Sequence, residues 1–282
     1  MATKFSIITP CRNAARYLPE TIESILGQSA VASGQVELEY LIVDGASTDS
    51  TAEVEKKYQH PALTFCSEPD TGVYDALAKG LQRATGDIVA YLNAGDCYHP
   101  KAFEVLAEVF ANPGVDWVTG YSVLLNEKSQ VTAAWKPPRF RREYFETGLY
   151  CKGFPYPSVQ QESTFWSAKL NRTIDFARLR QFRLAGDYFL WTSFAPQAPM
   201  HSVFSYLSAF RIHAGQLSED MSAYNKEVAS ITRPLTRKEK LSVYWEYTCH
   251  PLLRGPLSRF VLPRSEACLF EYDGKTDRWK AR

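Results

Sequence analysis

Two short apolar segments of this chain each run into a loop that carries a carboxylate. Residues 41–43 are followed by Asp44, and residues 88–92 lead to Asp96. A short apolar run that ends at Asp, Gly or Ser is typical of a buried parallel strand that stops at a polar loop. Because open α/β sheets bind ligands at the carboxyl ends of their strands, the two loops predict one site for a metal ion and a phosphorylated, sugar-bearing ligand.

Asp96 is the candidate metal ligand of the two. It follows Gly95, and a glycine lets a backbone or a ligand approach closely. Hard divalent cations such as Mg2+ and Mn2+ prefer carboxylate oxygens and often share their ligand shell with substrate phosphates. The structural alternative is that Asp96 caps a turn. Asp44 is better suited to accept a hydrogen bond from a nucleobase N–H or a ribose hydroxyl, or it belongs to a helix-capping loop.

A third loop carries acidic residues directly ahead of a predicted helix. Asp70 and Gly72 precede this helix, which bears Asp75 and Lys79. Positions 75 and 79 are four residues apart and therefore share one helical face. Asp75 and Lys79 form a surface ion pair worth about 0.3–0.5 kcal/mol, or Lys79 faces a bound diphosphate. The sequence is compatible with both alternatives.

Two candidates for chemistry lie in the second half of the chain. Asp187 stands at the start of a predicted helix among aromatic residues, where it is either an N-cap or a general base for a hydroxyl nucleophile. His213 closes a predicted strand and is either structural or a ligand.

The elements that must position these residues alternate between strands and helices. The first hundred residues read β-α-β-α-β-α-β, which favours a parallel, doubly wound α/β sheet. Its predicted strands cover residues 5–9, 35–43, 63–67 and 87–92, the first being stopped by Pro10. Its predicted helices begin at Asn13 or a neighbour and run to Leu26, and cover residues 52–58 and 73–84. Beyond residue 100 the patterns predict helices over 102–110 and 182–194, a strand or hairpin edge over 117–125, a loop-rich stretch over 135–157 and a strand over 203–213.

Composition excludes several other classes of protein. The chain has 282 residues, 45% of them hydrophobic and 22% charged, which suits one large or two smaller soluble domains. A net charge of +1 gives no reason to expect nucleic acid as a partner. The six cysteines form no C-x-x-C pair, which argues against zinc and suits a reducing cytosol. No apolar run reaches the roughly 18 residues of a membrane span. With no signal-peptide pattern at the start, these features predict a cytoplasmic protein.

Several of these segments together resemble the family 2 glycosyltransferases of the GT-A fold, which are inverting enzymes that use nucleotide-sugar donors. The likeness extends from Phe5 to about Gln216. It is carried by residues 9–13 (TPCRN), 43–51 (VDGASTDST), 67–80 (SEPDTGVYDALAKG), 84–87 with 92–96 (ATGD and LNAGD), 161–166 (QESTFW) and 185–188 (AGDY). Residues 67–80 are close to a stretch of members that build O-antigen, capsule or other surface polysaccharide.

The resemblance implies a role for each matching residue. Asp187 would be the catalytic base, and Asp96 and His213 would bind Mn2+ or Mg2+. The residues implied in binding the nucleotide-sugar donor, with a UDP-sugar favoured, are Thr9, Pro10, Arg12, Asn13, Asp44, Asp70, Gly72, Lys79, Asn93 and Ala94. The residues implied in binding the acceptor, a glycan or a lipid-linked oligosaccharide, are Gln161, Glu162 and Trp166.

Two departures from the family pattern concern the acidic loops. The usual Asp-Asp of the first loop is Asp44-Gly45 here. The D-x-D region holds Asn93 and Gly95, which leaves Asp96 as its only carboxylate. We therefore expect metal binding to depend on the diphosphate and on His213 as well.

The chain is predicted to divide into a nucleotide-sugar-binding half (1–120), an acceptor-binding half (121–232) and a C-terminal helical extension (233–282). The extension mixes aromatic and basic side chains, which suits an anionic membrane surface near a lipid-linked acceptor or packing against the main domain. These side chains are Tyr244, Trp245, Tyr247, Lys238, Lys240, Arg254 and Arg259.

Other functions remain open at this point. A sugar nucleotidyltransferase should show a Gly-rich, basic phosphate loop near its N-terminus, for which residues 9–16 offer weak material. A dehydrogenase would need G-x-G-x-x-G after the first strand, and that motif is absent. A non-catalytic carbohydrate- or nucleotide-binding protein of the same fold stays compatible with the reduced D-x-D region.

Overall fold

A computed structural model describes residues 2–151, 158–216, 219–249 and 266–282. Its strands are β1 (Thr3–Cys11), β2 (Val36–Asp44), β3 (Leu63–Ser67), β4 (Ile88–Tyr91), β5 (Cys97–Tyr98), β6 (Trp117–Thr119), β7 (Ser122–Leu125), β8 (Val131–Trp135), β9 (Thr164–Ser167), β10 (His201–Val203), β11 (Ser208–Arg211), β12 (Leu269–Asp273) and β13 (Arg278–Ala281). Its helices are α1 (Leu18–Leu26), α2 (Ser29–Ala32), α3 (Thr51–Glu55), α4 (Val73–Arg83), α5 (Ala102–Phe110), α6 (Arg142–Phe145), α7 (Ala168–Asn171), α8 (Phe176–Leu179), α9 (Gly186–Phe194), α10 (Met221–Ile231) and α11 (Arg237–Cys249).

The predicted parallel sheet forms one side of a nine-stranded sheet with the order β13-β12-β10-β6-β9-β4-β1-β2-β3. Each strand is parallel to the next in the order β4, β1, β2, β3. Strand β9 is antiparallel to its neighbours β4 and β6, and β13 is antiparallel to β12. Strand β1 is covered on both faces, because helices pack on each side of the sheet and form two separate apolar clusters. The carboxyl ends of β1, β2 and β4 therefore meet at one edge.

Pro10 was predicted to end the first strand. In the structure β1 continues through it to Cys11, and Pro10 pairs with Val43. The ladder to β4 stops earlier, at the pair Ile8–Tyr91. On that side Pro10 faces no strand, so its missing N–H breaks no ladder bond.

Two segments, one predicted as a strand or hairpin edge and the other as a strand, each divide between two sheets. The segment 117–125 contributes β6 to the large sheet and β7 to a four-stranded sheet with the order β5-β11-β7-β8. The segment 203–213 does the same with β10 and β11. The crossing places Gly120 against Leu207, where a side chain at position 120 would overlap the leucine. The smaller sheet reaches the site through β5 and β11.

The C-terminal extension contains the predicted helix, α11, and two strands that were not predicted. Strand β12 pairs parallel with β10, and β13 returns antiparallel along β12. The last residues thus lie at the edge of the main sheet. Arg254 and Arg259 lie outside the described residues. Among the helices of the described ranges, none is both long and apolar enough to cross a membrane.

Candidate active site

Asp44 lies at the end of β2 and joins three strand ends. One carboxylate oxygen accepts hydrogen bonds from the Ser47 N–H at 3.0 Å and the Ser67 hydroxyl at 2.6 Å, and the other accepts one from the Ser47 hydroxyl. The side chain is buried in its own loop. In the structure Asp44 therefore organises its own loop. Its contact with a nucleoside stays a prediction.

The residues that follow β1 hold the Asp44 loop in place. Asn13 adopts a left-handed backbone with φ 52°, and its side-chain oxygen accepts a hydrogen bond from the Thr48 N–H at 2.8 Å. The Thr9 hydroxyl is buried against the Tyr40 hydroxyl at 3.1 Å. Pro10 is buried as well, whereas Arg12 is exposed. Their assignment to donor binding stays a prediction, with Arg12 and Asn13 the exposed members of the group.

Gly45 stands where the family pattern has its second acid, directly under the Asp70 side chain. Any side chain at position 45 would overlap the Asp70 carboxylate, which lies over this glycine. Asp70 also accepts a hydrogen bond from the Gly72 N–H at 3.0 Å. Burial raises the pKa of Asp70, opposed by Lys79 and Arg12. Asp70 thus brings a carboxylate to the place where the family pattern has its second acid.

Lys79 lies on α4 and contacts the third loop. Its Nζ donates to the Pro69 carbonyl at 2.8 Å and lies 3.7 Å from both Glu68 and Asp75. Asp75 also forms an ion pair with Arg180 at 3.2 Å. The ammonium therefore stabilises the loop ahead of α4, and its contact with a diphosphate stays a prediction.

Asp96 lies in a turn just past β4, in which its N–H donates to the Asn93 carbonyl at 3.1 Å. One carboxylate oxygen, Oδ1, accepts a hydrogen bond from the Arg211 N–H at 2.9 Å. The other, Oδ2, is buried without a hydrogen-bond partner in the described part of the chain. Burial raises the pKa of Asp96, opposed by the backbone N–H and the charge of Arg211.

Arg211 is a buried cation at the end of β11 that fixes the Asp96 turn. Its guanidinium donates to the Gly95 carbonyl at 2.8 Å, to the Asn126 carbonyl at 3.1 Å and to the Ser129 hydroxyl at 3.1 Å, and it forms an ion pair with Glu20. It thereby connects helix α1, the Asp96 turn and the β7–β8 connection. Arg211 was not among the residues predicted from the sequence. Its signal is a charged residue in the otherwise uncharged strand Ser208–Arg211.

Gln161 and Glu162 lie in a short 3-10 turn ahead of β9. The Gln161 side chain donates to the Tyr91 carbonyl and accepts a hydrogen bond from the Asn93 amide at 3.0 Å. Glu162 is 2% exposed. Burial raises the pKa of Glu162 well above its usual value, and the nearby charges of Asp96 and Asp187 raise it further. Glu162 is therefore close enough to Asp96 and Asp187, which belong to two other elements, for both charges to act on it.

The residues around Asp96 fit a divalent cation. Asp96 Oδ2 and Asn93 Oδ1 are both buried acceptors without a donor among the described residues. Carboxylate and amide oxygens are the ligands that Mn2+ and Mg2+ prefer. Within the described ranges no three acidic, histidine or cysteine side chains form a complete ligand set. A bound metal would therefore need oxygens from a diphosphate, in agreement with the thinned D-x-D region.

His213 lies two residues beyond Arg211, beside Tyr17. The two rings stack with centroids 4.8 Å apart, and His213 Nδ1 lies 3.0 Å from the Ala214 carbonyl. Tyr17 also packs under the Arg211 guanidinium, 5.7 Å from the ring centroid. His213 thus lies at the same end of the sheet as Asp96, and its role as a metal ligand stays a prediction.

Asp187 is in the first turn of α9, which begins at Gly186. The carboxylate accepts a hydrogen bond from the Tyr188 N–H at 2.7 Å and lies 3.3 Å from the Tyr224 hydroxyl. Burial raises the pKa of Asp187 to about 6, opposed by these two donors. A carboxylate with this pKa is largely ionised at neutral pH and more basic than an exposed one, which suits a general base.

Trp166 was predicted to bind the acceptor, but it lies in the core. Its side chain is 0% exposed, and its indole ring packs on Tyr91, Trp191 and Phe194 in the core. The Nε1–H donates to Asn171 at 3.3 Å. Trp166 belongs to the face of β9 that is covered by helices, so the prediction was wrong.

Comparison with solved structures identifies the class of protein that this fold defines. S. aureus TarS 1-349 in complex with UDP-GlcNAc superposes with a TM-score of 0.60 at 15% identity, over 93% of this chain and 76% of that one. A mannosyltransferase, PcManGT from Pyrobaculum calidifontis, in complex with GDP-Man and Mn2+, gives 0.55 at 18% identity, over 89% and 70%. The fold is therefore that of the GT-A glycosyltransferases, as predicted.

The family model described as Glycosyl transferase family 2 matches residues 6–160, and the chain belongs to that family. A relative from Bacillus subtilis (strain 168), provisionally named as the teichuronic acid biosynthesis glycosyltransferase TuaG, is 31% identical over 126 residues. The match covers 43% of this chain and 48% of that protein. The chain thus spans less than half the length of the curated relatives it matches.

Proposed function

We propose that this protein is an inverting glycosyltransferase that moves a sugar from a nucleoside-diphosphate donor, a UDP-sugar by preference, to a hydroxyl of its acceptor. One observation carries the proposal. The loop of Asp96 is joined to the turn of Glu162 by the hydrogen bond from Asn93 to Gln161, and the charges of Asp96 and Asp187 both act on Glu162 at the carboxyl ends of the strands. This is the edge where α/β sheets bind ligands. Membership of family 2 supports the reaction class.

Asp187 takes the role of general base in this proposal. Its carboxylate accepts the proton of the acceptor hydroxyl as that oxygen forms a bond to the anomeric carbon. The bond from the anomeric carbon to the diphosphate oxygen breaks, and its electron pair leaves with the nucleoside diphosphate. Because the hydroxyl attacks the face opposite the leaving group, the configuration of the anomeric carbon inverts.

Asp96 would hold Mn2+ or Mg2+ together with the diphosphate of the donor, with His213 as a further predicted ligand. The metal ion would supply positive charge to the leaving group. Arg211 keeps Asp96 Oδ1 occupied, so that Oδ2 is the oxygen available to a cation. The Mn2+ in the PcManGT structure supports this choice of cofactor.

The donor and the acceptor are proposed by class. The UDP-GlcNAc bound to TarS supports a uridine nucleotide as donor. The provisional assignment of TuaG to teichuronic acid biosynthesis supports a glycan or lipid-linked acceptor in surface polysaccharide synthesis. Contacts with the acceptor are assigned to Gln161 and Glu162.

Calorimetry with UDP tests the donor site. We expect UDP to bind in the presence of Mn2+, and Asp96→Asn to weaken this metal-dependent binding at least tenfold. An Asp116→Asn variant is the control, because Asp116 pairs with Lys169 away from the site. Equal UDP binding with Mn2+ and with EDTA would refute the metal assignment. Absence of binding and of turnover across a panel of nucleotide-sugars would favour a non-catalytic protein.

The extension would contact an anionic membrane surface from the cytoplasmic side. On α11, Leu241, Tyr244 and Trp245 are exposed by 70%, 67% and 53%, and Lys238 is also exposed. Apolar and basic side chains together favour anionic lipid. We expect the protein to pellet with anionic but not neutral vesicles, and Leu241→Ser with Trp245→Ser to abolish this. An unchanged pellet would remove the membrane from the proposal, and Tyr272→Ser is the control at a similarly exposed ring.

A further inference from the structure

Helix α10 is bound to the segment that carries the proposed base. The Glu227 carboxylate on α10 accepts three consecutive backbone N–H groups, from Arg183 at 3.1 Å, Leu184 at 2.9 Å and Ala185 at 2.8 Å. Three charge-assisted hydrogen bonds to one carboxylate fix the backbone immediately before α9. This backbone leads to Asp187 two residues later, so Glu227 sets the position from which the base projects.

A second residue of α10 reaches the carboxylate itself. The Tyr224 hydroxyl lies 3.3 Å from both oxygens of Asp187. Residues 224 and 227 are three apart and therefore share one face of α10, which is the face turned toward α9. Val228 beside them is buried, and its burial holds this face of α10 against the core.

The other side of the same segment is held by Tyr74 on α4. Its hydroxyl donates to the Leu184 carbonyl at 2.9 Å, and its ring fills the space where a side chain at position 186 would lie. The segment before Asp187 is thus held between α4 and α10. A glycine at position 186 is required by this close packing.

We infer that α10 is a positioning element for the base, in which Glu227 fixes the backbone before Asp187 and Tyr224 orients its carboxylate toward the acceptor. This inference rests on the proposed function, in which Asp187 is the base. It adds two residues to the site that lie outside the segment matched by the family model, residues 6–160. Neither residue touches a reacting atom, so both act through Asp187.

Several titratable groups of the described elements face Asp187. They are Tyr74 on α4, Tyr91 on β4, Glu162 in the 3-10 turn, Tyr188 on α9, and Tyr224 on α10. The Tyr224 hydroxyl lowers the pKa of Asp187, as does the Tyr188 N–H. The tyrosine hydroxyls stay neutral through the working range, because burial raises the pKa of each of these phenols. Tyr224→Phe removes one donor and adds no charge.

The test is the pH dependence of kcat in Tyr224→Phe. We expect the pH of half-maximal kcat to rise by about one unit, which is a tenfold change in ionisation, with the donor KM unchanged. Tyr58→Phe is the matched control, because it also deletes a hydroxyl that donates to a carboxylate, that of Glu23 at 2.8 Å. This control should leave the pH profile in place. A purely structural role would lower kcat at every pH and leave the half-maximal pH where it is.

A second variant and a second measurement keep the inference falsifiable. Glu227→Gln should lower kcat about tenfold at every pH with the donor KM unchanged. NMR titration of the Asp187 carboxyl carbon should show the same upward shift in Tyr224→Phe without any need for turnover. A shifted titration in a protein that transfers no sugar would refute the proposed function alone. An unshifted titration and an unshifted profile would refute the inference.

Discussion

Replacement of Asp187 by Asn gives the sharpest test of the proposed chemistry. Asn has nearly the same shape and keeps an oxygen that can accept the Tyr188 N–H, now 2.7 Å from the carboxylate. It cannot take a proton from an acceptor hydroxyl. Loss of a general base lowers turnover by roughly 100- to 10,000-fold, and we expect kcat of Asp187→Asn to fall within that range. The donor should bind as before, since the carboxylate acts on the acceptor.

The pH dependence of the unmodified protein follows from the same group. Burial raises the pKa of Asp187 to about 6, so the ionised fraction is about nine-tenths at pH 7 and about one-tenth at pH 5. We therefore expect log kcat to fall with unit slope below pH 6. Asp187→Asn should lose this acidic limb as well as its rate. Initial rates with a constant donor concentration between pH 4.5 and pH 8.5 measure both effects.

Stability provides the control for this variant. The folded-state pKa of Asp187 lies above the usual 3.8, so the folded protein binds the proton more tightly than the unfolded chain does. The protonated carboxyl stabilises the fold below pH 3.8, and this contribution is lost as the pH rises through about 6. Asp187→Asn should therefore be more stable than the unmodified protein at pH 8, by up to about 3 kcal/mol, and this difference should vanish well below pH 3.8.

Two results would refute the reasoning on Asp187. Turnover of Asp187→Asn within tenfold of the unmodified protein would show that another group accepts the proton. A flat rate between pH 5 and pH 7 would show that no group with this pKa controls the reaction. Urea denaturation at pH 8 must accompany both measurements, because a destabilised variant would lose activity for a different reason.

Three further substitutions test how the site is supported. Gly186→Ala should cost roughly 1–3 kcal/mol in urea denaturation, because the new methyl group overlaps the buried Tyr74 ring; an unchanged free energy of unfolding would contradict the packing. Arg211→Met should cost roughly 3 kcal/mol and weaken Mn2+ binding at Asp96, and Arg211→Lys should not rescue it, because one ammonium cannot reach the separate acceptors. Trp166→Phe should lower stability by roughly 1–3 kcal/mol and leave the acceptor KM unchanged; a raised KM would restore Trp166 to the acceptor site.

The sequence patterns predicted the first half of the fold well. Residues 63–67 and 102–110 form the predicted strand and helix with the same bounds. A short β-prone run and a helically spaced apolar pattern define these two elements locally. The divided strands were missed, because an alternating pattern shows which residues are buried and not which sheet buries them. The pairing of β12 with β10 joins residues more than sixty positions apart and leaves no local signal.

The site was predictable as a set of positions rather than as a set of contacts. Asp96 and Asp187 could be singled out because each follows a turn next to an apolar segment. Arg211 could not be linked to Asp96, from which it is separated by 115 residues. Trp166 lies in a motif shared with the family, and a motif does not say which face of a strand is covered. Distant partners and the covered face are decided by packing.

The final two strands have a consequence for shortened forms of the protein. A chain cut at residue 232 would lose β12 and β13, together with the hydrogen bond from the Trp279 N–H to Glu108 at 2.8 Å. Strand β10 would then present an unpaired backbone edge, which is a template for self-association. Sedimentation of such a fragment would report aggregation whether or not lipid is present, so membrane affinity has to be tested by point substitutions on α11 in the whole chain.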